Sequence, residues 1–194
     1  MKLSDVESRN TKGEQPEEAD TVYTYDIMDI LKEEGITEEA LVEASMGLYT
    51  PHPGIETREK AETLFIRELR LAISDPNLCM LIYSGILLER EGRNGTLPNI
   101  SRDSYERDLT FLIADEVLGM SISKYISGDK GMFEFVRFDK QKPGILAELG
   151  PFMDDVIGGL IGGVSANMYT RGMAEIDNSK KEDDGKLGGG VIAG

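Results

Sequence analysis

Apolar residues recur at helical spacing along almost the whole chain, and this periodicity limits the possible folds more than any other feature. The repeats comprise Ile27, Ile30 and Leu31 before Gly35, Leu41, Ala44 and Leu48 after Thr37, and Ala61, Phe65, Leu69 and Ala72 after Thr57. Residues three or four apart lie on one face of a helix, whereas a half-buried strand alternates apolar and polar residues. No stretch of the sequence alternates in that way. The pattern predicts an all-α fold.

Glycine and proline residues divide this pattern into six or seven helices. The breaks fall at Gly35 and at residues 51–54, 75–77, 92–98, 128–131 and 142–144. One long helix is predicted from about Arg102 to Ile126. Because 194 residues are the usual size of one domain, we expect a single multihelical domain.

The two ends of the chain differ from the middle in composition. Residues 1–21 are polar and acidic, and residues 177–194 are charged and then rich in glycine. Segments of this kind bury too little apolar surface to offset the entropy that ordering removes. We therefore predict disordered tails at 1–21 and 177–194, on either side of an all-helical domain at 22–176.

The charge and the apolar runs exclude several classes of partner. The 36 acidic residues against 21 basic ones give a net charge of -15, which repels nucleic acid and anionic lipid. The apolar runs fall short of the roughly 20 residues of a transmembrane helix, and the N-terminus lacks the apolar stretch of a signal peptide. The single cysteine, Cys79, excludes a disulfide framework and is expected in the core. We expect a cytoplasmic protein without an integral membrane segment or a nucleic-acid partner.

Asp115 interrupts the apolar stripe of the predicted helix from Arg102 to Ile126. Burial of a lone carboxylate costs several kcal/mol unless it is paired, hydrogen-bonded or bound to a metal. A metal site and a buried ion pair both satisfy this requirement. The sequence leaves these two interpretations of Asp115 open.

A second pair of acids repeats the pattern of the first. The segment Asp154-Asp155-Val156-Ile157-Gly158 matches Asp115-Glu116-Val117-Leu118-Gly119 position for position. In each copy a glycine lies one turn after the first acid, on the same helix face, where it leaves space for a ligand or a close helix. The alternative for the second pair is electrostatic, because Gly150-Pro151 indicates a helix start and acids in a first turn complement the helix dipole.

Four glycines follow the second acid pair and form two overlapping Gly-x-x-x-Gly patterns. They are Gly158, Gly159, Gly162 and Gly163. Each glycine costs a helix about 1 kcal/mol relative to alanine, so an offsetting contact is expected. We predict close backbone packing against another helix of the domain or, as a homo-oligomer, against a second copy of the chain.

Between the acid pairs, three basic residues cluster around a further acid. Arg137, Lys140 and Lys142 surround Asp139 in an otherwise acidic protein. Carboxylates that hold a hard cation beside bases that hold phosphate oxygens are the arrangement that phosphoryl transfer to water uses. The alternative is a solvated basic surface. The lone histidine, His52, lies in a proline-flanked loop, either as a hydrogen-bonding loop residue or as part of a site.

Three segments together resemble a known family. Asp115-Glu116-Val117-x-Gly119, Phe138-Asp139-x-x-Lys142-Pro143 and Met153-Asp154-Asp155-Val156-x-x-Gly159 are similar, in order, to the motifs of the phosphatidylglycerophosphatase A superfamily. Within that superfamily the chain resembles the archaeal α-ribazole-5′-phosphate phosphatases of cobalamin synthesis. The resemblance implies a multihelical fold and Mg²⁺-dependent hydrolysis of a phosphomonoester. For this branch it implies removal of the 5′-phosphate from α-ribazole phosphate or adenosylcobalamin phosphate.

The resemblance also implies roles for the acids and bases. Asp115, Glu116, Asp154 and Asp155 are expected to hold or support Mg²⁺, or Mn²⁺ in its place. Asp139, Asp115 and Asp155 are the expected catalytic residues, with Asp139 a ligand or base. Arg137, Lys140 and Lys142 are expected to bind the phosphate of a small-molecule substrate, with water as the nucleophile. The rival functions are phosphatidylglycerophosphate hydrolysis and a non-enzymatic helical interaction module.

The chain departs from the family pattern in two places. Membrane-spanning segments, usual in the bacterial lipid phosphatases, are missing, which favours a water-soluble substrate. The early Thr-x-Gly-Ser pattern of the family is replaced by Ile55-Glu56-Thr57-Arg58.

Overall fold

The computed structural model describes residues 25–107 and 112–187, with side chains described as far as residue 176. Seven α-helices form this part of the chain, so the predicted all-α fold is confirmed. They are α1 (Ile27–Glu33), α2 (Glu38–Gly47), α3 (Arg58–Ala72), α4 (Pro76–Asn94), α5 (Arg102–Glu106), α6 (Ala114–Gln141) and α7 (Pro151–Leu187), with a short 3-10 helix at Gly144–Ala147. The predicted tail at 1–21 lies outside the described residues, and the predicted boundary at 177 lies within α7.

Side-chain caps begin most of these helices where the sequence indicates a start. The side chains of Thr37, Thr57 and Asp75 each accept a hydrogen bond from a backbone N–H of the first turn of α2, α3 and α4. These bonds satisfy donors that a helix start otherwise leaves unpaired. Helix α4 ends at Gly95, whose left-handed conformation favours glycine.

The predicted helix from Arg102 to Ile126 is wrong. The chain forms two helices there, because α5 ends at Glu106 and α6 begins at Ala114. The sequence between them carries neither glycine nor proline, so it contains no break signal. Asp115 therefore lies in the first turn of α6 rather than in the middle of a helix.

Helix α6 reverses direction at Ser127 and Gly128. Both residues have non-helical backbone angles, and Gly128 has a φ of 61°, in the left-handed region. The reversal divides α6 into an N-terminal arm (114–126) and a C-terminal arm (129–141). The two arms pack closely, since a Cβ atom on Gly131 would overlap the carbonyl oxygen of Ser123.

Helix α7 packs along both arms of α6. On the N-terminal arm, Gly119 and then Ile126 lie against Gly159 and Gly163 of α7, so this arm runs parallel to α7. On the C-terminal arm the order is reversed, because Lys130 contacts Thr170 whereas Lys142, just beyond the arm, contacts Asp154. The start of α6, the end of α6 and the start of α7 therefore meet at one end of the fold.

The core surrounds α7, of which residues 152–166 are all buried. Helices α3 and α4 cover the side of α7 away from α6, with Val156 of α7 against Gly85 of α4. The predicted close packing of the glycine-rich segment is present within the chain. Gly159, Gly162 and Gly163 contact α6, so a second copy is not their packing partner in this structure.

No single helix among the described residues has the length and apolarity to cross a bilayer. Helices α3 and α4 meet those criteria only when taken together, and they are bent by 92° at their junction.

Candidate metal centre

Five carboxylates converge where the three helix ends meet. We call Asp115, Glu116, Asp139, Asp154 and Asp155 the acidic cluster. The first two lie in the first turn of α6 and Asp139 lies in its last turn. Asp154 lies in the first turn of α7, and Asp155 directly follows it. Carboxylate oxygens of Glu116, Asp139 and Asp155 all lie within 4.8 Å of one another. The structure therefore brings together the acids that the two repeated segments and the intervening motif supply.

Most of the acidic cluster is shielded from water. The exposed fractions of Asp115, Asp154 and Asp155 are 2%, 8% and 6%, whereas Asp139 and Glu116 are partly exposed. The Asp115 carboxylate accepts a hydrogen bond of 2.8 Å from the backbone N–H of Glu116. The aspartates at the two helix starts are thus buried, and water reaches the cluster at Glu116 and Asp139.

Lys142 balances part of this negative charge. It ends α6 in a left-handed conformation, with a φ of 40°, and its Nζ atom forms an ion pair with Oδ2 of Asp154. Burial lowers the pKa of Lys142, but the hydrogen bond that Lys142 donates to Asp154 and the charges of Asp154, Asp139 and Asp155 raise this pKa above its ordinary value. Lys142 therefore stays charged beside the acidic cluster.

The crowding of acids has a large effect on Asp155. Burial, and then the charges of Asp154, Glu116, Asp115 and Asp139, raises the pKa of Asp155 to about 9. Without a cation, this carboxyl group holds a proton at neutral pH. A divalent cation would remove the cause of the shift, because its charge favours the ionised carboxylate.

The spacing of the oxygens also fits a small divalent ion. Mg²⁺ binds carboxylate oxygens at about 2.0–2.1 Å, so ligands on opposite sides of the ion stand about 4.2 Å apart. The oxygens of Glu116, Asp139 and Asp155 are separated by no more than 4.8 Å, which small side-chain rotations can bring onto one ion. These three carboxylates could together hold one divalent ion.

Arg137 contacts groups outside the acidic cluster, whereas Lys142 lies beside the cluster. The Nη1 atom of Arg137 donates to the Glu134 carboxylate, and its Nη2 atom donates to the carbonyl oxygen of Leu48 at 3.1 Å. Lys140 is exposed and shares the helix face of Arg137. Residues two apart on a helix point about 200° from each other, so Arg137 cannot share the face of Asp139. Among the described bases, Lys142 alone forms an ion pair with the cluster.

Sequence reasoning missed Glu89, which fixes the start of α7. Its buried carboxylate accepts hydrogen bonds from the backbone N–H of Phe152 at 3.1 Å and from the Tyr105 hydroxyl at 2.6 Å, and it pairs with Arg93. The signal was available, because Glu89 continues the apolar stripe of Ile82 and Ile86 on α4. Glu89 holds the helix turn that carries Asp154 and Asp155.

Comparison with known proteins finds relatives that match about two thirds of the chain. No protein-family model matches it. Uncharacterized protein MJ1330 of Methanocaldococcus jannaschii is 34% identical over 134 residues, which span 66% of this chain and 99% of the relative. The chain belongs to the MJ1330 family. Uncharacterized protein YutG of Bacillus subtilis is 28% identical over 144 residues, which span 61% of the chain and 84% of YutG.

Solved structures share the fold of this MJ1330 family member. The low temperature requirement C protein of Listeria monocytogenes matches with a TM-score of 0.65 and 22% identity, over 75% of this chain and 94% of that protein. A Bacillus stearothermophilus protein of unknown function matches with a TM-score of 0.62 and 28% identity, over 75% of this chain and 92% of that protein. YpjQ of Bacillus subtilis, a DUF64 protein, matches with a TM-score of 0.64 and 19% identity, over 76% of this chain and 93% of that protein. The helical arrangement is therefore common to all three.

Proposed function

We propose that this protein is a Mg²⁺-dependent phosphomonoesterase. The observation that carries the proposal is the convergence of five carboxylates and Lys142 from three helix ends that are distant in sequence. Burial of so many acids in one place is unfavourable unless a cation neutralises them. A metal site with a partly exposed side and an adjacent lysine suits a substrate that carries a phosphate dianion.

Each member of the acidic cluster has a role in this proposal. Glu116, Asp139 and Asp155 would hold the ion, which would supply positive charge to polarise the phosphoryl group and activate water. Asp139 also accepts the proton of the attacking water, because it is the least buried aspartate of the cluster. Asp115 supports the ligand set through its hydrogen bond to the backbone of Glu116.

Lys142 binds the substrate phosphate in this proposal. Its ammonium group already contacts Asp154, so it stands at the edge of the acidic cluster with its charge retained. A phosphate oxygen that approaches the cluster would contact the ammonium group of Lys142, which would then pair with both the phosphate and Asp154. The positive charge offsets the repulsion between the substrate and the carboxylates.

The proposed substrate is α-ribazole 5′-phosphate or adenosylcobalamin 5′-phosphate in the cytoplasm. The support for this choice is the motif resemblance of the segments around Asp115, Asp139 and Asp154. A structural neighbour, YpjQ, is a DUF64 protein, and that group is related to the phosphatidylglycerophosphatase A superfamily. The resemblance supplies the reaction, and the net charge of -15 favours the water-soluble substrate over an anionic bilayer.

One observation favours a lipid phosphate as the second candidate. Ile113 and Val117 flank Glu116 on α6, and their exposed fractions are 62% and 51%. Apolar side chains beside the open side of the cluster would suit the acyl chains of phosphatidylglycerophosphate. The net charge of -15 opposes approach to an anionic bilayer.

The test is release of inorganic phosphate from a substrate panel. α-Ribazole 5′-phosphate and phosphatidylglycerophosphate in mixed micelles are compared at equal Mg²⁺, with Mn²⁺ and with excess chelator. We expect kcat/KM for the soluble phosphate to exceed that for the lipid by about tenfold or more, a difference of about 1.4 kcal/mol. A preference for the lipid would select the second candidate. No turnover of any phosphate would select the non-enzymatic interaction module.

A further inference from the structure

A cavity of about 410 Å³ lies apart from the acidic cluster, between α7, the C-terminal arm of α6 and the loop after α2. Its volume falls within the range of about 300–1,000 Å³ that small-molecule sites occupy. Tyr169, which lines it, is fourteen residues after Asp155 on α7, a distance of roughly 20 Å at 1.5 Å per residue. This part of the cavity is therefore distant from the acidic cluster, whereas Arg137, which also lines the cavity, is two residues before Asp139 on α6.

The cavity carries positive charge in an acidic protein. Lys130 and Arg137 line it, and Glu134 is the acid that also lines it. Arg137 pairs with Glu134, whereas Lys130 donates a hydrogen bond to the Thr170 hydroxyl at 3.3 Å. No ion pair of Lys130 with a carboxylate is found in the described part of the chain. One positive charge is thus left to attract an anion.

Ring surfaces make up the other part of the lining. Phe133 is 74% exposed, although its side chain is large and apolar. His52 and Tyr169 pack edge to face, with ring centroids 6.2 Å apart. The Tyr169 hydroxyl accepts from the backbone N–H of Thr50 at 2.9 Å, which holds its ring in place. Exposed and fixed rings around the cavity favour a planar ring in the ligand, since stacked and edge-to-face ring pairs are favourable.

We propose that this cavity binds a small phosphate monoester that carries a heteroaromatic ring. Lys130, with the hydroxyl group of Thr170 beside it, binds the phosphate, and Phe133 with Tyr169 contacts the ring. Lysine is a common phosphate ligand because it offers three donors and a full charge. The inference does not depend on the proposed phosphatase activity, because it uses none of the residues of the acidic cluster.

Adenosine 5′-monophosphate is a suitable probe, and its binding to the full chain can be measured by titration calorimetry in metal-free buffer. Adenosine lacks the anion and ribose 5-phosphate lacks the ring. We expect one molecule of the nucleotide to bind, and each fragment to bind at least about tenfold more weakly. Equal affinity for adenosine and the nucleotide, or no binding of the nucleotide, would overturn the proposal.

Two variants locate the site, and two controls separate it from other surfaces. Lys130→Ala and Phe133→Ala remove one charge and one exposed ring, and each should weaken binding by about fivefold or more, while circular dichroism confirms that the fold is retained. Lys124→Ala removes an exposed lysine on the N-terminal arm of α6 and should change nothing. Asp155→Asn should also leave nucleotide binding unchanged. Loss of binding in Asp155→Asn, or no effect in both Lys130→Ala and Phe133→Ala, would contradict the assignment.

Discussion

A Cβ atom on Gly159 would overlap the carbonyl oxygen of Gly119, so α7 and the N-terminal arm of α6 cross with their backbones in contact. The same crossing places the backbone of Asp155 against Gly119. The approach of the two helices therefore sets the distance between the acids at their starts.

The crossing predicts opposite effects for two adjacent glycines. Gly159→Ala should destabilise the fold by about 1–3 kcal/mol. The new methyl group would overlap the backbone of Gly119, which cannot shift without moving the helix. Gly158→Ala is the matched control, since its Cβ would meet the Phe135 ring at an ordinary 3.6 Å while alanine favours the helix by about 1 kcal/mol. Urea denaturation measures both. Equal loss of stability in the two variants would contradict the close crossing.

Removal of one carboxylate charge should abolish metal binding. Asp155→Asn and Asp139→Asn keep the shape of the side chains but delete a ligand charge, so we expect the affinity for Mn²⁺ and the rate of phosphate release each to fall by about a hundredfold or more. Asp129→Asn, at an exposed position near the reversal of α6, is the control and should behave as wild type. Titration calorimetry and a phosphate assay give the two values. Wild-type values in both cluster variants would reassign these acids to structural roles.

The raised pKa of Asp155 predicts how the metal-free fold depends on pH. The ordinary pKa is 3.8 and the folded value is about 9, so the folded state holds the proton more tightly than the unfolded state. The resulting stability is full below about pH 4 and is lost as the pH rises toward 9. Denaturation with chelator present should show this decline in wild type and a flatter curve in Asp155→Asn. Identical curves would mean that Asp155 ionises normally.

Metal binding should displace the same proton. Calorimetric titration of Mn²⁺ in two buffers of different ionisation enthalpy at pH 7 is expected to show release of close to one proton in wild type, because Asp155 must ionise to become a ligand. Affinity should rise as the pH approaches 9. A pH-independent affinity without proton release would remove Asp155 from the ligand set.

Glu89 should matter for stability and for the metal centre together. Glu89→Ala leaves the Phe152 N–H and the Tyr105 hydroxyl without their acceptor inside the protein, so we expect a loss of at least about 2 kcal/mol. The start of α7 would loosen, and Mn²⁺ affinity should fall as well. Glu91→Ala, at an exposed position on the same helix, is the control. An unchanged melting temperature in Glu89→Ala would contradict the role of Glu89 as the cap of α7.

The acidic cluster could be predicted from the sequence because a carboxylate on an apolar face needs an explanation. The apolar stripe of its helix identified Asp115, and the repeat of its segment then identified the pair at Asp154, without knowledge of how the helices pack. Arg137 was expected to act with Asp139, and in the structure it pairs with Glu134 instead. Side chains two residues apart on a helix point about 200° from each other, which accounts for this difference.

Other parts of the arrangement depend on tertiary contacts that no local pattern encodes. The glycines at 128 and 131 indicate a break, but a break does not say that the chain turns back and lays both arms along α7. The ion pair between Lys142 and Asp154 arises from this reversal and from the left-handed backbone of Lys142. For the same reason the cavity beside Tyr169 could not be inferred, because it draws on three separate segments.

The turn at Gly128 also offers a place to modify the protein. A Cβ atom there would meet nothing within 4 Å, and the turn lies at the opposite end of the N-terminal arm from Asp115, about 18 Å away for twelve residues of helix. A few residues or a fluorescent label inserted at this turn should leave the positions of the three helix ends relative to one another unchanged. The turn at Gly128 can therefore be lengthened without a change in the site, whereas the connection from Lys142 to Gly150 is constrained by the ion pair of Lys142 with Asp154.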